Sequence, residues 1–223
     1  MRTPLQEIAE SHYSVSAHSE ALWQYHQLPI EQAAAYPNMD DQKRAELIGF
    51  KQAARGLVIQ DIRRWGDRFG NALKVDEIDA RAIEAHEHWH PAPHDFGWHR
   101  VIHWKRRHAH VDALDIAIWH HEQLAGLCWA APQGSKEKIM VLYLQRSPDD
   151  NLATKGYIAP LCMSGVRYAL LLGLRWVVVK APLQQARVAY QLDGFRHVKG
   201  LGLAYDLSPF HAALDHEEIS DGE

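Results

Sequence analysis

The sequence predicts an α/β fold, a mixed sheet carrying helices, preceded by an N-terminal helical region. Three observations predict it. Near residue 95 the apolar positions change from a helical spacing to short strand-like runs. Two of these runs, Ala113 to Trp119 and Leu124 to Ala131, are separated by only four polar residues, the spacing of an antiparallel hairpin. A third run is followed by a helical stripe and then a fourth run, the order that joins parallel strands.

In chain order, Ala54, Val58, Ile62, Trp65 and Phe69 step by 4, 4, 3 and 4 and paint one face of a helix from Asp40 to about Phe69. Asp40 and Asp41 suit its positive N-terminal end. A second helix is expected from Asp76, as its cap, to about Trp89, with Ile78, Ala82, Ala85 and Trp89 aligned. His90, Pro91, Ala92 and Pro93 stop it.

After the hairpin, Lys138 to Gln145 (KIMVLYLQ) reads as a third strand. The polar loop RSPDDNLATKG leads into a helix over Tyr157 to Leu172, with Pro160 in the permissive first turn and Gly173 at its end. Arg175 to Ala181 reads as a buried strand and Leu183 to Leu192 as a helix. Phe195 to Leu207, with Gly200 and Gly202, reads as a closing strand pair. The order divides the chain into a helical region at 1–95, a sheet-bearing domain at 96–210 and an acidic tail at 211–223.

The chain has 223 residues, 47% hydrophobic and 23% charged, enough to bury a substantial core without a metal or disulfide staple. Its net charge of −4 gives no global attraction for nucleic acid or anionic lipid, so any nucleic-acid contact would be local. Cys128 and Cys162 lie inside apolar stretches and read as reduced core residues, which favours the cytoplasm. The opening MRTPLQEIAESHYS lacks the apolar core of an export signal. The longest apolar run, Tyr168 to Val179, is broken by Gly173 and Arg175, so no membrane span is expected.

Ten of the 16 histidines fall between His86 and His121. Within that stretch His86, Glu87 and His90 form a His-Glu-x-x-His pattern, which on a helix places two imidazoles one turn apart to grip zinc with the glutamate as base of a hydrolase. A third ligand would have to come from His94, His99 or His103, and nothing in the sequence singles one out. The other reading is a polar helix end with surface histidines and no metal. Trp104 to His110 (WKRRHAH) is a local basic cluster that could hold an acidic acceptor, the 3′-phosphate side of coenzyme A or a nucleic acid, or could be a solvated basic loop or edge strand.

Three stretches between Trp98 and Pro209 resemble the GCN5-related N-acetyltransferase (GNAT) superfamily. LDIAIWHHEQLAGLCWA resembles the family's second and third strands, with Gly126 early in the third. KIMVLYLQ, a loop and the Lys155, Gly156 turn resemble the fourth strand and the acyl-CoA pyrophosphate loop. APLQQARVAYQLDGF resembles the last signature, in which a tyrosine, here Tyr190, stands four residues before a Gly-Phe pair, here Gly194 and Phe195. Aligned on Gly156, the loop carries Ala153 at its first position and Ile158 at its last, so Lys155 is the cation left to it.

The resemblance implies a GNAT fold, acetyl-CoA or another acyl-CoA as co-substrate, and transfer of the acyl group to an amine. It also implies a crevice where the third and fourth runs part. A pantetheine arm would pair with strand backbone around Tyr143, Leu144 and Gln145, and the pyrophosphate would meet the start of the next helix at Lys155, Gly156, Tyr157 and Ile158. Tyr190 would hydrogen-bond or protonate the leaving sulfur, since an ordinary phenol (pKa about 10) stays neutral at pH 7. Without the resemblance, Tyr190 reads as a core tyrosine on an amphipathic helix and Gly156 as a plain turn. The general base is open among Asp115, His121, Glu122 and Glu137, each of which also reads as a solvated surface group, and a water chain or neutral amine needs none. A binding or regulatory module without catalysis is the alternative. The N-terminal helices would supply part of the acceptor pocket or the surface of a homodimer.

Overall fold

The computed structural model describes residues 40–64, 72–89, 96–105, 110–133, 137–149 and 158–212. Helix α1 (Asp41–Arg64) opens them. Asp40 caps it, accepting a hydrogen bond from the Gln42 N–H at 3.0 Å, and Ala54 and Val58 turn into the core as the periodicity requires. The stripe's last members, Trp65 and Phe69, lie outside the described residues.

The next segment departs from expectation. Asp76 does not cap a helix; it ends a strand, β1 (Leu73–Asp76), in which Leu73 and Val75 are buried and Lys74 is exposed. Four residues of alternation are too few to stand out in sequence, and pairing with the hairpin strand decides the matter. The cap of helix α2 (Ala80–Glu87) falls three residues later than expected, at Asp79, which accepts from the Ala82 N–H at 2.8 Å. It also ends before Trp89. A 3₁₀ turn (Trp98–Arg100) and helix α3 (Val101–Lys105) follow.

The expected hairpin and third strand are β2 (Leu114–His120), β3 (Gln123–Gln133) and β4 (Lys138–Arg146). Helix α4 (Ile158–Leu171) leads to β5 (Trp176–Val179), helix α5 (Gln184–Leu192), and the strands β6 (Arg196–Val198) and β7 (Gly202–Asp206). The seven strands form one sheet in the order β1-β2-β3-β4-β5-β7-β6. Among these pairs only β4 and β5 are parallel, and the crossover through α4 is what permits that.

Alternation along the strands feeds two apolar layers. Ile116 and Ile118 of β2, Cys128 and Ala130 of β3, and Ile139 and Val141 of β4 pack with α1, α4 and Tyr190 of α5. Ala117, Trp119, Leu127 and Trp129 point the other way, onto α2, the 3₁₀ turn and α3. The sheet is therefore covered on both faces around β2 to β4. No described helix is long and apolar enough to cross a membrane.

Candidate active site

Beta-strand β4 is longer than its parallel neighbour. Residues Lys138 to Val141 pair with Trp176 to Val179, and the Lys180 N–H donates to the Val141 carbonyl at 3.1 Å. Beyond that point β4 continues from Leu142 to Arg146 while β5 ends, so among the described residues this half keeps only its β3 partner. The register of β4 on β3 slips here: Trp129 faces Tyr143 and Ala130 faces Val141, leaving Leu142 as an extra residue. Such a bulge bends the strand that carries it. The result is a β4 edge whose backbone groups face the side vacated by β5.

The side chains on this half of β4 go to opposite layers. Leu144 packs against the α1–α4 layer. Tyr143 joins the other, stacked on Trp104 with ring centroids 5.7 Å apart and bordered by Phe96 and Trp98. Gln145 is buried, and its Oε1 accepts from the Trp98 indole N–H at 2.6 Å. Of the residues expected to meet an acyl-CoA, Tyr143, Leu144 and Gln145 thus lie on the half of β4 that extends past the end of β5. Ile158 is the first residue of α4, while Lys155, Gly156 and Tyr157 lie outside the described residues.

Helix α4 sits unusually close to the strands beneath it. A Cβ added at Gly126 would lie 3.3 Å from Leu161 Cδ1 and 3.5 Å from the Gln145 carbonyl, so the absence of a side chain lets the first turn of α4 settle onto β3 and β4.

Tyr190 enters the α1–α4 core layer from α5. It is 2% exposed, stands edge-on to Phe195 with centroids 5.5 Å apart, and lies within electrostatic range of Cys162 in α4 and Cys128 in β3. Burial pushes its phenol far above the ordinary tyrosine value, with those thiols and Asp193 adding to the shift, so the group is a neutral hydrogen-bond donor throughout the physiological range. Both cysteines are free and buried; burial pushes the Cys128 thiol up to about 12 and raises Cys162 as well. They are inert core thiols, as their apolar settings suggested.

The sequence candidates for a general base are scattered. Asp115 is not a solvated group. It is 1% exposed, 2.9 Å from Lys105 Nζ and 3.3 Å from Arg55, and takes the Ile78 N–H at 2.8 Å. Lys105 and the two other cations around it, Arg55 and Lys51, hold its carboxyl below the usual range in spite of burial. Lys105, taken from the basic cluster, is accordingly part of a buried ion network and not of a solvated loop. Glu122 pairs with Arg81 at the hairpin tip beside exposed His121, and Glu137 precedes β4 at the end remote from the unpaired edge.

The histidine motif lies only partly within the described residues. Helix α2 ends at Glu87, and His86 lies edge-on to Trp89 and Trp98 at 5.0 and 6.4 Å. His90 is outside the described residues. Among the described residues, no group of three His, Cys, Asp or Glu side chains is placed to hold a metal. One acidic residue that the sequence reading passed over stands near Tyr190: Asp193, buried at the end of α5. Its signal was a lone aspartate in the mostly apolar stretch between Val188 and Phe195.

No family model matches the chain. No curated protein matches it in sequence either. Solved structures do. A probable acetyltransferase is 15% identical with a TM-score of 0.42, over 62% of this chain and 92% of its own. The acetyltransferase candidate yncA from Salmonella typhimurium, solved with its cofactor acetyl-CoA, is 16% identical with a TM-score of 0.42, over 61% and 91%. An acetyltransferase from Streptococcus agalactiae is 10% identical with a TM-score of 0.44, over 58% and 87%.

Proposed function

We propose that the protein transfers an acetyl or related acyl group from acyl-CoA to an amine. The observation that carries this reading is the β4 edge left where β5 ends, beside the first turn of α4; the neutral, buried phenol of Tyr190 would complete the site. An extended pantetheine arm has amides that can pair with such an edge as a further strand would. Backbone around Tyr143, Leu144 and Gln145 would receive it. The diphosphate would then meet Lys155, Gly156, Tyr157 and Ile158 at the positive, unpaired N–H end of α4.

In the reaction the amine nitrogen attacks the thioester carbonyl, the carbon–sulfur bond breaks with its electron pair on sulfur, and the amine's proton passes to solvent water. Tyr190 donates a hydrogen bond to the departing sulfur. With its phenol so far above a thiol, the tyrosine stabilises the thiolate as a donor more readily than it gives up its proton. The acceptor side would be built from the aromatic layer over Tyr143, which comes from the helical segments before β2. The second reading, a binding or regulatory module that keeps the fold without catalysis, is favoured by the altered loop, which carries Ala153 at its first position and keeps only Lys155 as a cation.

Calorimetry with acetyl-CoA, followed by an amine panel read by free-thiol release, tests both. Binding with turnover supports the transferase, and absence of turnover, with or without binding, overturns it in favour of the module.

A further inference from the structure

The two faces of the sheet differ in what they offer a ligand at the β4 edge. Leu144 and the first turn of α4 lie on one face, and a cofactor whose diphosphate rested on the start of α4 would approach from there. The opposite face is then left to the amine. The side chain that β4 presents on it is Tyr143, joined covalently to the backbone along which the thioester would lie.

Five rings build that face in two tiers. Trp98 and Trp129 are each 1% exposed and form the base; the Trp98 indole is fixed by Gln145, and Trp129 sits opposite Tyr143 in the β3–β4 register. Phe96, Trp104 and Tyr143 are half-buried and form the rim. The Trp104 ring stacks on Tyr143 with planes 20° apart and leans on Trp129 at 5.9 Å between centroids, while Phe96 stands 5.6 Å from Tyr143. Rim rings seated on a buried base keep their orientation before a ligand arrives, which lowers the ordering cost of binding.

Charge is missing from this wall. The 3₁₀ turn, α3, β3 and β4, which carry four of the five rings, contain no aspartate or glutamate. Helix α2 packs on the same face, but its Glu84 and Glu87 are exposed. Lys105, next to Trp104, is paired with Glu77 at 2.7 Å and Asp115 at 2.9 Å. Rings without a counter-charge offer stacking and dispersion to a flat apolar body, and they leave the ammonium groups of a hydrated polycation without partners.

We infer that the acceptor of the proposed acyl transfer is an arylalkylamine, whose ring lies against the half-buried rim of Phe96, Trp104 and Tyr143 while its short chain carries the nitrogen to the β4 edge. Trp104 is the specificity residue of this arrangement, since it is the rim ring stacked on Tyr143 and comes from a helix outside the sheet. The inference rests on the acyl-transfer reading and names its substrate class.

The test uses the full chain with acetyl-CoA and, in turn, 2-phenylethylamine, tryptamine, butylamine, spermidine and a lysine-containing peptide without aromatic residues, each read by free-thiol release. The kcat/KM for the two aromatic amines should exceed that for each of the others by about tenfold or more. Trp104→Ala should bring the ratio of 2-phenylethylamine to butylamine within about threefold of unity, through KM for the aromatic amine, whereas Trp104→Phe keeps most of the preference. A ratio taken within one variant is insensitive to any loss of folded protein. Turnover without a preference for the aromatic amines, or a preference that Trp104→Ala leaves intact, overturns the inference while the transferase reading stands. Absence of turnover with every amine removes the transferase reading, and the inference with it.

Discussion

The indole N–H of Trp98 donates to Gln145 Oε1 at 2.6 Å, tying the 3₁₀ turn on one face of the sheet to the half of β4 that has lost its parallel neighbour. Both side chains are buried. The bond helps explain how an unpaired strand end can stay in place. Replacing Gln145 with Leu leaves the buried indole N–H without this acceptor, which should cost about 1–3 kcal/mol in urea denaturation. In the proposed reading the same change should weaken acetyl-CoA binding, measured by calorimetry, because the receiving edge loses its support.

Tyr190→Phe keeps the ring packed against Phe195 and removes only the hydroxyl. If the phenol supports the departing sulfur, kcat should fall on the order of a hundredfold with KM for acetyl-CoA within about twofold of the parent value. Equal loss of binding and turnover would instead mark Tyr190 as packing alone.

Asp115 anchors a buried network spanning α1, α3 and β2. Its folded carboxyl lies below the ordinary range, so the stability it contributes is present above the unfolded value of 3.8 and is lost as pH falls through the depressed one. Asp115→Asn leaves Lys105, Arg55 and Lys51 without their central counter-charge and should cost about 3–5 kcal/mol. The variant's urea midpoint at pH 7 checks the cost, and a flattened acid limb checks the linkage.

Lys51 is shifted in the same direction for a different reason. Desolvation lowers its amine from 10.5 to about 8, and its Nζ donates to the Val111 carbonyl at 2.9 Å. The folded protein therefore sheds this proton before the unfolded chain does, and stability should rise between about pH 8 and 10.5. In Lys51→Met that rise should disappear, which denaturant midpoints at pH 7, 9 and 10 would show.

Gly126→Ala should drive the added methyl to within 3.3 Å of Leu161. We expect a loss of about 1–2 kcal/mol, largely recovered when Leu161 is shortened to Val in the same chain. Additive losses in that double variant would show that the two positions are not in contact.

The mixed sheet was legible because its elements repeat over short distances. Ile116 and Ile118 against Ala117 and Trp119 announce a strand two residues at a time, and Leu161, Ala169 and their neighbours announce a helix within a few turns. The hairpin, the parallel crossover and the burial of both cysteines followed from those local patterns. Tyr190 is singled out by a motif contained in six residues, and its role is a proposal. Strand β1 was missed because four residues carry too little pattern, and Asp76 was mistaken for a cap because the competing cap, Asp79, follows so closely.

What no local pattern could carry is which groups meet across the fold. Arg55 and Asp115 are 60 residues apart, Trp98 and Gln145 are 47, and neither pairing leaves a mark in the intervening chain. The point where β4 outruns β5 depends on where two separate strands end relative to each other. The sequence by itself determined the elements and their order, since backbone propensity and side-chain period act between near neighbours. The tertiary structure alone decided which carboxylates are paired and which edge is left free, because burial and charge act through space between segments that packing brings together.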